Sequence, residues 1–190
     1  PARHARGRPR VRSGVKPVVL FVAGVGRSGS TLLESILGSF DGWIGVGETM
    51  HLPERALRDD QRCGCGMPFS SCEFWQRVGE RAFGSWPEVD VEAWLALASR
   101  VDRNRNLALL LRPTLSPSFA RAHARMVELA GGVVLAAATE AGASVVVESS
   151  KHPSFGLILA AHPGLDVRFL HVVRDSRGVA YSWTKRVQRP

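Results

Sequence analysis

Residues 18–40, VVLFVAGVGRSGSTLLESILGSF, join a short apolar run, a glycine-rich turn and a helical pattern without interruption. Val18 to Val22 are all apolar and rich in β-branched types, which is typical of a buried parallel strand. Between Leu32 and Leu37 apolar residues recur at helical spacing. This order restricts the chain to an α/β fold in which the turn can bind an anion, because the turn's N–H groups and the helix dipole point the same way.

The turn differs from the nucleotide-triphosphate loop GxxxxGK[ST] at one position that matters chemically. Gly24 and Gly29 fit that frame and Thr31 supplies its hydroxyl, but Ser30 stands where the lysine belongs. The cation is instead Arg27, three residues earlier. A loop with three hydroxyls, an arginine and no lysine suits a terminal anionic group that needs no bridging metal.

Three later segments also predict strands that lead into polar residues. The apolar runs at 43–46, 144–147 and 167–173 are followed by GET, ESSK and RDS, and we expect the last of these strands to be buried. Because the carboxyl ends of parallel strands share one edge of a sheet, these groups are expected beside the turn. We therefore predict an α/β domain with a three-layer, P-loop NTPase-like fold and a parallel β-sheet.

The segments between these strands predict helices and one loop. The longest helical pattern runs from Ser116 to Ala141, with a kink or break expected at Gly131-Gly132. Residues 53–72 have few apolar positions and are predicted to form a loop. After the last strand, Asp175 is the expected N-cap of a helix.

The sequence RSGST after an apolar strand resembles the 5′-phosphosulfate loop of sulfotransferases that use 3′-phosphoadenosine-5′-phosphosulfate (PAPS). By this resemblance the 5′-phosphosulfate of PAPS would be held, without a metal ion, by five loop residues: Arg27, Ser28, Gly29, Ser30 and Thr31.

Three further patches resemble the same family and occur in the same order, namely VGE, SSK and RDSRGVAYSW. In the first, Glu48 matches the family's general base, which takes the proton of the acceptor hydroxyl. In the second, Lys151 matches a strand-end lysine that, with Arg27, stabilises charge on the leaving bisphosphate. In the third, Arg174 and Ser182, eight residues apart, match the pair that holds the 3′-phosphate.

The resemblance implies transfer of a sulfuryl group from PAPS to an acceptor hydroxyl on a carbohydrate, a lipid, a tyrosine or a small molecule. Family members continue well beyond the last patch, with further strands and more of the acceptor cleft. We therefore expect residues 17–190 to form the N-terminal portion of a sulfotransferase domain that is incomplete at its C-terminus.

Other interpretations stay open at this point. In a P-loop kinase or NTPase that uses ATP and Mg²⁺, the strand VVVE would offer Glu148 as the carboxylate associated with the metal. A non-catalytic nucleotide-binding domain would keep the anion loop alone. Within the sulfotransferase interpretation, His152 is the alternative to Glu48 as the base.

The net charge of +8 arises mainly from the amino-terminal arm and does not indicate a nucleic-acid-binding face. Residues 1–16 contain six of the 25 basic residues and no acid, whereas the rest of the chain holds 19 bases and 17 acids. We expect this arm to be disordered and solvated. No apolar stretch is long enough to predict a membrane span, and the initial Pro leaves room for an upstream segment.

Cys63, Cys65 and Cys72 lie in the segment predicted to be a loop, with the spacing C-x-C-x₆-C. An odd number of cysteines does not describe a disulfide framework, which favours a reducing compartment and a cytoplasmic location. A structural zinc site normally has four protein ligands, and nothing in the sequence fixes His51 as the fourth. We therefore expect no metal, although similar cysteine segments occur in some bacterial sulfotransferases.

Overall fold

The computed structural model describes residues 15–184, and these form a mixed α/β fold around an all-parallel sheet of four strands. The strand order is β2-β3-β1-β4. The fold class predicted from the sequence, a parallel sheet flanked by helices, is confirmed. The strands are β1 (Val18–Gly24), β2 (Trp43–Gly47), β3 (Val145–Lys151) and β4 (Asp166–Val172).

Seven α-helices surround the sheet within residues 15–184. They are α1 (Ser30–Leu37), α2 (Glu73–Phe83), α3 (Val91–Val101), α4 (Leu107–Leu111), α5 (Pro117–Ala141), α6 (Pro153–Ala160) and α7 (Ser176–Thr184). Single 3₁₀ turns at Thr49–His51, Phe69–Ser71, Trp86–Glu88, Asn104–Asn106 and Pro113–Leu115 and a π-helical segment at Leu52–Arg58 complete the regular structure.

The connections leave the two central strands in opposite directions. After β1 the chain passes through α1 to β2, whereas after β3 it passes through α6 across β1 to β4. Right-handed crossovers in opposite directions place α1 and α6 on opposite faces of the sheet. The strand order therefore reverses between β1 and β3, and in sheets of this kind ligands bind at the carboxyl ends of the strands at such a point.

The main hydrophobic core lies between the sheet and α2, α3 and α5. Here five aromatic side chains pack against one another: Phe69, Trp75, Phe83, Trp86 and Trp94. Tight ring packing of this kind adds stability beyond the area that it buries.

The predicted kink or break in the longest helix is wrong, because α5 continues through both glycines. A Cβ atom added to Gly131 would lie 2.4 Å from the Cδ2 atom of His162. The glycine therefore permits a close approach of a neighbouring side chain rather than a bend. Within residues 15–184, no helix combines the length and the apolar character needed to cross a membrane.

Two other local predictions are wrong. The segment 53–72 is not simply a loop, since it begins with the π-helical turns and ends in a 3₁₀ turn. The last strand is not buried: β4 pairs with β1 alone, and Phe169 on it is 50% exposed. The helix predicted after the turn is present as α1, and its buried positions are Ser30 and Glu34, whereas Leu32 is 67% exposed.

The predicted disordered arm at residues 1–16 falls almost wholly on residues 1–14, which lie outside the described residues. Of the arm, only Val15 and Lys16 are described, and both are exposed and outside regular structure. Pro17 then leads directly into β1.

Candidate functional site

The charged residues singled out in the sequence lie in a row along the carboxyl edge of the sheet. The strand register pairs Ala23 with Lys151 and Gly24 with Val172, so the turn after β1 lies between the ends of β3 and β4. Gly47 pairs with Glu148, which places the segment after β2 beside β3. Neighbouring strands are about 4.8 Å apart, so the row spans roughly 15 Å.

The turn Gly24 to Thr31 contains two residues with a left-handed backbone. Arg27 has a φ of 70° and Gly29 a φ of 96°, both in the left-handed region. A non-glycine residue in that region costs free energy and is found most often at functional sites. No side chain caps the first turn of α1, so the N–H groups of that turn have no side-chain acceptor in the described part of the chain.

Ser28 and Ser30 are both buried in this loop. The Ser28 side chain is almost inaccessible to solvent, and its Oγ makes no hydrogen bond with any part of the chain that the structure describes. An unpaired buried hydroxyl is unfavourable unless something else supplies the bond. The loop therefore offers a donor for an external acceptor.

Trp183 on α7 covers the loop from outside. Its ring lies 5.4 Å from the Arg27 guanidinium carbon, a cation–π contact. A Cβ on Gly26 would be 3.3 Å from the Trp183 ring, so the ring also packs closely on the loop backbone. In the sequence Trp183 is only the last residue of the patch RDSRGVAYSW, and its contact with the loop was not predicted.

Arg174 links the end of β4 to the same loop. Its Nη1 donates a hydrogen bond of 2.9 Å to the backbone carbonyl of Arg27. Asp175 is the N-cap of α7, as predicted, because its Oδ1 accepts a 2.9 Å bond from the N–H of Arg177. Ser182 is on the same helix and half-buried, and its hydroxyl makes no hydrogen bond with a described residue. Arg27 and Arg174 are thus brought together, whereas Ser182 is not joined to either.

Glu48 and Lys151 form an ion pair at the ends of β2 and β3. The Lys151 Nζ donates to the Glu48 Oε1 and, over 2.9 Å, to the carbonyl of Ser149. Lys151 also has a left-handed backbone, with a φ of 72°. Burial raises the pKa of Glu48, but the hydrogen bond and charge of Lys151 outweigh that effect and leave the pKa below its ordinary value.

Two further residues that the sequence did not indicate surround the Glu48 carboxylate. Arg55, on the π-helical segment, donates a 3.2 Å hydrogen bond to Glu48 Oε2, and His51 Nε2 lies 3.8 Å from the same oxygen. Burial, followed by the charge of Arg55, lowers the pKa of His51. The sequence did not single out Arg55, because residues 53–72 were predicted to form a loop.

Two buried glutamates fix the backbone around this pair. Glu34 accepts hydrogen bonds from the N–H of Gly47 and from the hydroxyl of Ser149. Burial raises the pKa of Glu34 above its ordinary value. A Cβ on Gly45 would lie 3.0 Å from the Glu34 side chain, so the glycine makes room for it. Glu34 thereby ties α1 to both β2 and β3.

Glu148 is completely buried. Its carboxylate accepts bonds of 2.9 Å from the N–H and the hydroxyl of Thr49, one of 3.1 Å from the N–H of Ser150, and one from the Ser150 hydroxyl. Burial is the largest influence on this group and raises its pKa to about 7. These hydrogen bonds use the carboxylate oxygens to link β3 to the segment after β2.

His152, the alternative base, is exposed at the start of α6, and its ring makes no hydrogen bond with a described residue. The three cysteines, in contrast, converge: the Cys72 sulfur lies 3.6 Å from that of Cys63 and 3.7 Å from that of Cys65. All three sulfurs are within 4.8 Å of one another.

Fold and site together define an α/β protein whose parallel sheet carries a glycine-rich loop, two arginines and a carboxylate–lysine pair along one edge. In comparisons with known proteins, no family model, curated protein or solved structure matched the chain.

Proposed function

We propose that this protein is a sulfotransferase that moves a sulfuryl group from PAPS to an acceptor hydroxyl. The observation that carries the proposal is the row at the carboxyl edge of the sheet. Two arginines joined through the Arg174–Arg27 hydrogen bond lie at one end, and the Glu48–Lys151 pair lies two strands away. A doubly charged donor and a proton acceptor are both required for this chemistry, and the row supplies groups for each.

The donor would lie across the ends of β1 and β4. The 5′-phosphosulfate would accept hydrogen bonds from the loop N–H groups of Gly29, Ser30 and Thr31, from the unpaired Ser28 hydroxyl, and from Arg27. The 3′-phosphate would pair with the Arg174 guanidinium, whose planar fork suits a phosphate, and with the Ser182 hydroxyl on the same side.

The transfer is an in-line displacement at sulfur. The acceptor oxygen forms a bond to sulfur as the bond from sulfur to the 5′-phosphate oxygen breaks, and the phosphate keeps that electron pair. Glu48 takes the hydroxyl proton. Lys151 and Arg27 stabilise the negative charge that grows on the bridging oxygen. No metal ion takes part in these steps.

The Glu48–Lys151 ion pair has a consequence for this step. While Lys151 is bound to Glu48, the pKa of the carboxylate is held low, and a carboxylate with a low pKa is a weak base. When Lys151 turns toward the departing phosphate oxygen, that restraint is lost and the pKa of Glu48 rises. Donor binding and base activation are thus coupled through one lysine.

The buried position of Glu148 argues against an ATP- and Mg²⁺-dependent function. A metal-associated carboxylate must present free oxygens at the site, whereas four hydrogen bonds hold this one inside the protein. The loop also has Ser30 in place of the lysine that contacts β- and γ-phosphates. Both features favour a donor that needs no metal.

The proposal is tested with the chain in a buffer that contains EDTA. Labelled sulfate transfer from PAPS is measured against a panel of carbohydrate, lipid, tyrosine-peptide and phenolic acceptors, with Glu48→Gln as the matched inactive variant. We expect the unaltered chain to transfer sulfate without a metal ion and Glu48→Gln to show no transfer. Binding of adenosine 3′,5′-bisphosphate without any transfer would show a non-catalytic domain. ATP turnover in a parallel assay with Mg²⁺ and no EDTA would show a kinase or NTPase.

A further inference from the structure

Three cysteine sulfurs meet at one point between the π-helical segment and α2. The two distances from the Cys72 sulfur, 3.6 Å to Cys63 and 3.7 Å to Cys65, are close to each other. In a tetrahedral site with zinc–sulfur bonds of about 2.3 Å, neighbouring sulfurs are about 3.8 Å apart. In a disulfide they are about 2.05 Å apart. The spacing therefore matches three thiolates around one metal ion.

The backbone holds two of the cysteines in a tight turn that exposes their sulfurs to the third. The N–H of Cys63 donates to the carbonyl of Met67, and the N–H of Gly66 donates to the carbonyl of Cys63, both over 2.8 Å. Gly66 has a φ of 90°, which favours glycine. This turn places the Cys63 and Cys65 side chains on one side of the loop.

The third cysteine lies on a rigid element. Cys72 is the N-cap residue of α2, and its side chain is buried within the hydrophobic core. Beside it, the Arg62 and Pro68 backbones form an antiparallel bridge that closes the loop at its base. Ligands on a closed turn and a helix start need little reorganisation to bind an ion.

We propose that Cys63, Cys65 and Cys72 bind one zinc ion through three thiolates, with a water molecule or a small solute in the fourth position. In residues 15–184, the cluster contains no fourth Cys, His, Asp or Glu, so the fourth ligand is external to that part of the chain. Soft thiolates select zinc over magnesium or calcium. Each thiol that enters the site releases its proton to solvent. This inference does not depend on the proposed sulfuryl transfer.

The position of the site indicates what it stabilises. The loop that it closes begins just after the π-helical segment, which carries the Arg55 guanidinium that contacts Glu48, and ends at α2. A bound ion would fix the path of the chain between these two elements. It would order the wall beside Glu48 without touching the carboxylate.

The test uses the whole chain, purified through a tag that binds no metal, under reducing conditions and without chelator. Zinc is measured by mass spectrometry, and Co²⁺ is then exchanged into the site. We expect about one zinc ion per chain, and a near-ultraviolet sulfur-to-cobalt charge-transfer band. Removal of the metal should lower the melting temperature by roughly 5 °C or more.

Cys65→Ser is the first variant, because Cys65 is exposed and its substitution leaves the core intact. Ser71→Ala, an exposed change in the same segment, is the control. The zinc content should fall at least fivefold in Cys65→Ser and stay unchanged in Ser71→Ala. The cobalt spectrum is measured on the unaltered protein, so this test remains valid even if Cys65→Ser does not fold. A zinc content far below one per chain, a cobalt spectrum without sulfur ligands, or equal zinc in both variants would overturn the proposal.

Discussion

The two ends of the row of charged residues along the carboxyl edge of the sheet differ in burial and in hydrogen bonding. At the ends of β2 and β3, Glu148 is fully buried, the Lys151 side chain is 11% exposed, and every carboxylate accepts more than one hydrogen bond. At the ends of β1 and β4, Arg174 is exposed, Trp183 is 63% exposed, and the Ser28 hydroxyl has no partner among the described residues. The polar groups of the β2–β3 side are hydrogen-bonded within the protein, whereas the β1–β4 side has exposed side chains and a hydroxyl left unpaired by the part of the chain that the structure describes.

This difference indicates that the two sides have different roles. Groups that must keep a fixed protonation state and position are best held by a buried network, because low local dielectric strengthens each bond. Groups that must admit and release a large charged donor are best left on an edge strand with few contacts. We infer that the β2–β3 side is pre-formed for proton transfer and that the donor itself completes the β1–β4 side.

The largest expected effect is on turnover, at the β2–β3 side. Glu48→Gln removes the proton acceptor but keeps the shape, so kcat should fall by roughly 10²- to 10⁴-fold. Affinity for adenosine 3′,5′-bisphosphate should stay within about twofold, as measured by calorimetry. Glu54→Gln, an exposed change on the nearby π-helical segment Leu52–Arg58, is the control. Lost bisphosphate affinity with normal turnover would assign Glu48 to donor binding instead.

The second effect concerns the pH dependence of stability and comes from Glu148. Its pKa is about 7 when folded and 4.5 ordinarily, so between these values the folded state holds a proton that the unfolded chain has lost. The contribution of Glu148 to the free energy of unfolding should therefore decrease as pH rises through this window and level off above pH 7, by about 3 kcal/mol in all.

Urea unfolding of the protein and of Glu148→Gln at pH 5 and pH 8 isolates this contribution, since the other titrating groups are common to both. The difference in free energy of unfolding between the two proteins should change by about that amount between the two pH values. Glu128→Gln, an exposed change on α5, should show no such change. A pH-independent difference for Glu148→Gln would mean that the carboxylate is ionised throughout.

The third effect is on donor affinity at the β1–β4 side. Arg174→Ala should weaken adenosine 3′,5′-bisphosphate binding by about 10- to 100-fold, because a charge-assisted phosphate contact is lost. The melting temperature should hardly change, since the side chain is exposed. Arg177→Ala, three residues away and 91% exposed, is the matched control and should bind normally. Equal losses in both variants would point to general electrostatic attraction rather than a site.

The smallest effect should come from the ring that covers the loop. Trp183→Ala removes the cation–π contact with Arg27 and should weaken bisphosphate binding by about two- to fivefold. Trp183→Phe, which keeps an aromatic face, should recover most of that loss. If binding instead improved on removal of the ring, Trp183 would be an obstruction rather than a support.

The sequence was sufficient to predict the parallel sheet and the groups at its carboxyl edge. Short apolar runs that end in charged residues reveal both the strand and its end, so Arg27, Glu48, Lys151 and Arg174 were found without a structure. The contact between Lys151 and Glu48 was not predicted, because it depends on β2 and β3 being neighbours in the sheet. The local pattern gives the strand ends, and the structure gives their order.

The remaining contacts depend on packing that a local pattern does not encode. Glu34 accepts a hydrogen bond from Ser149 across 115 positions of sequence, and nothing in the local pattern marks this glutamate as buried. Arg55 lies on π-helical turns that carry no periodic signal. The exposure of β4 arises because it is an edge strand of the sheet, although its composition is that of a buried one.

The most direct test of the central claim compares two ligands that differ by one phosphate. Adenosine 3′,5′-bisphosphate and adenosine 5′-monophosphate are titrated calorimetrically into the unaltered chain and into Arg174→Ala, without divalent metal. We predict that the 3′-phosphate strengthens binding at least tenfold in the unaltered chain and hardly at all in the variant. Equal affinities of the unaltered chain for the two ligands would contradict the account.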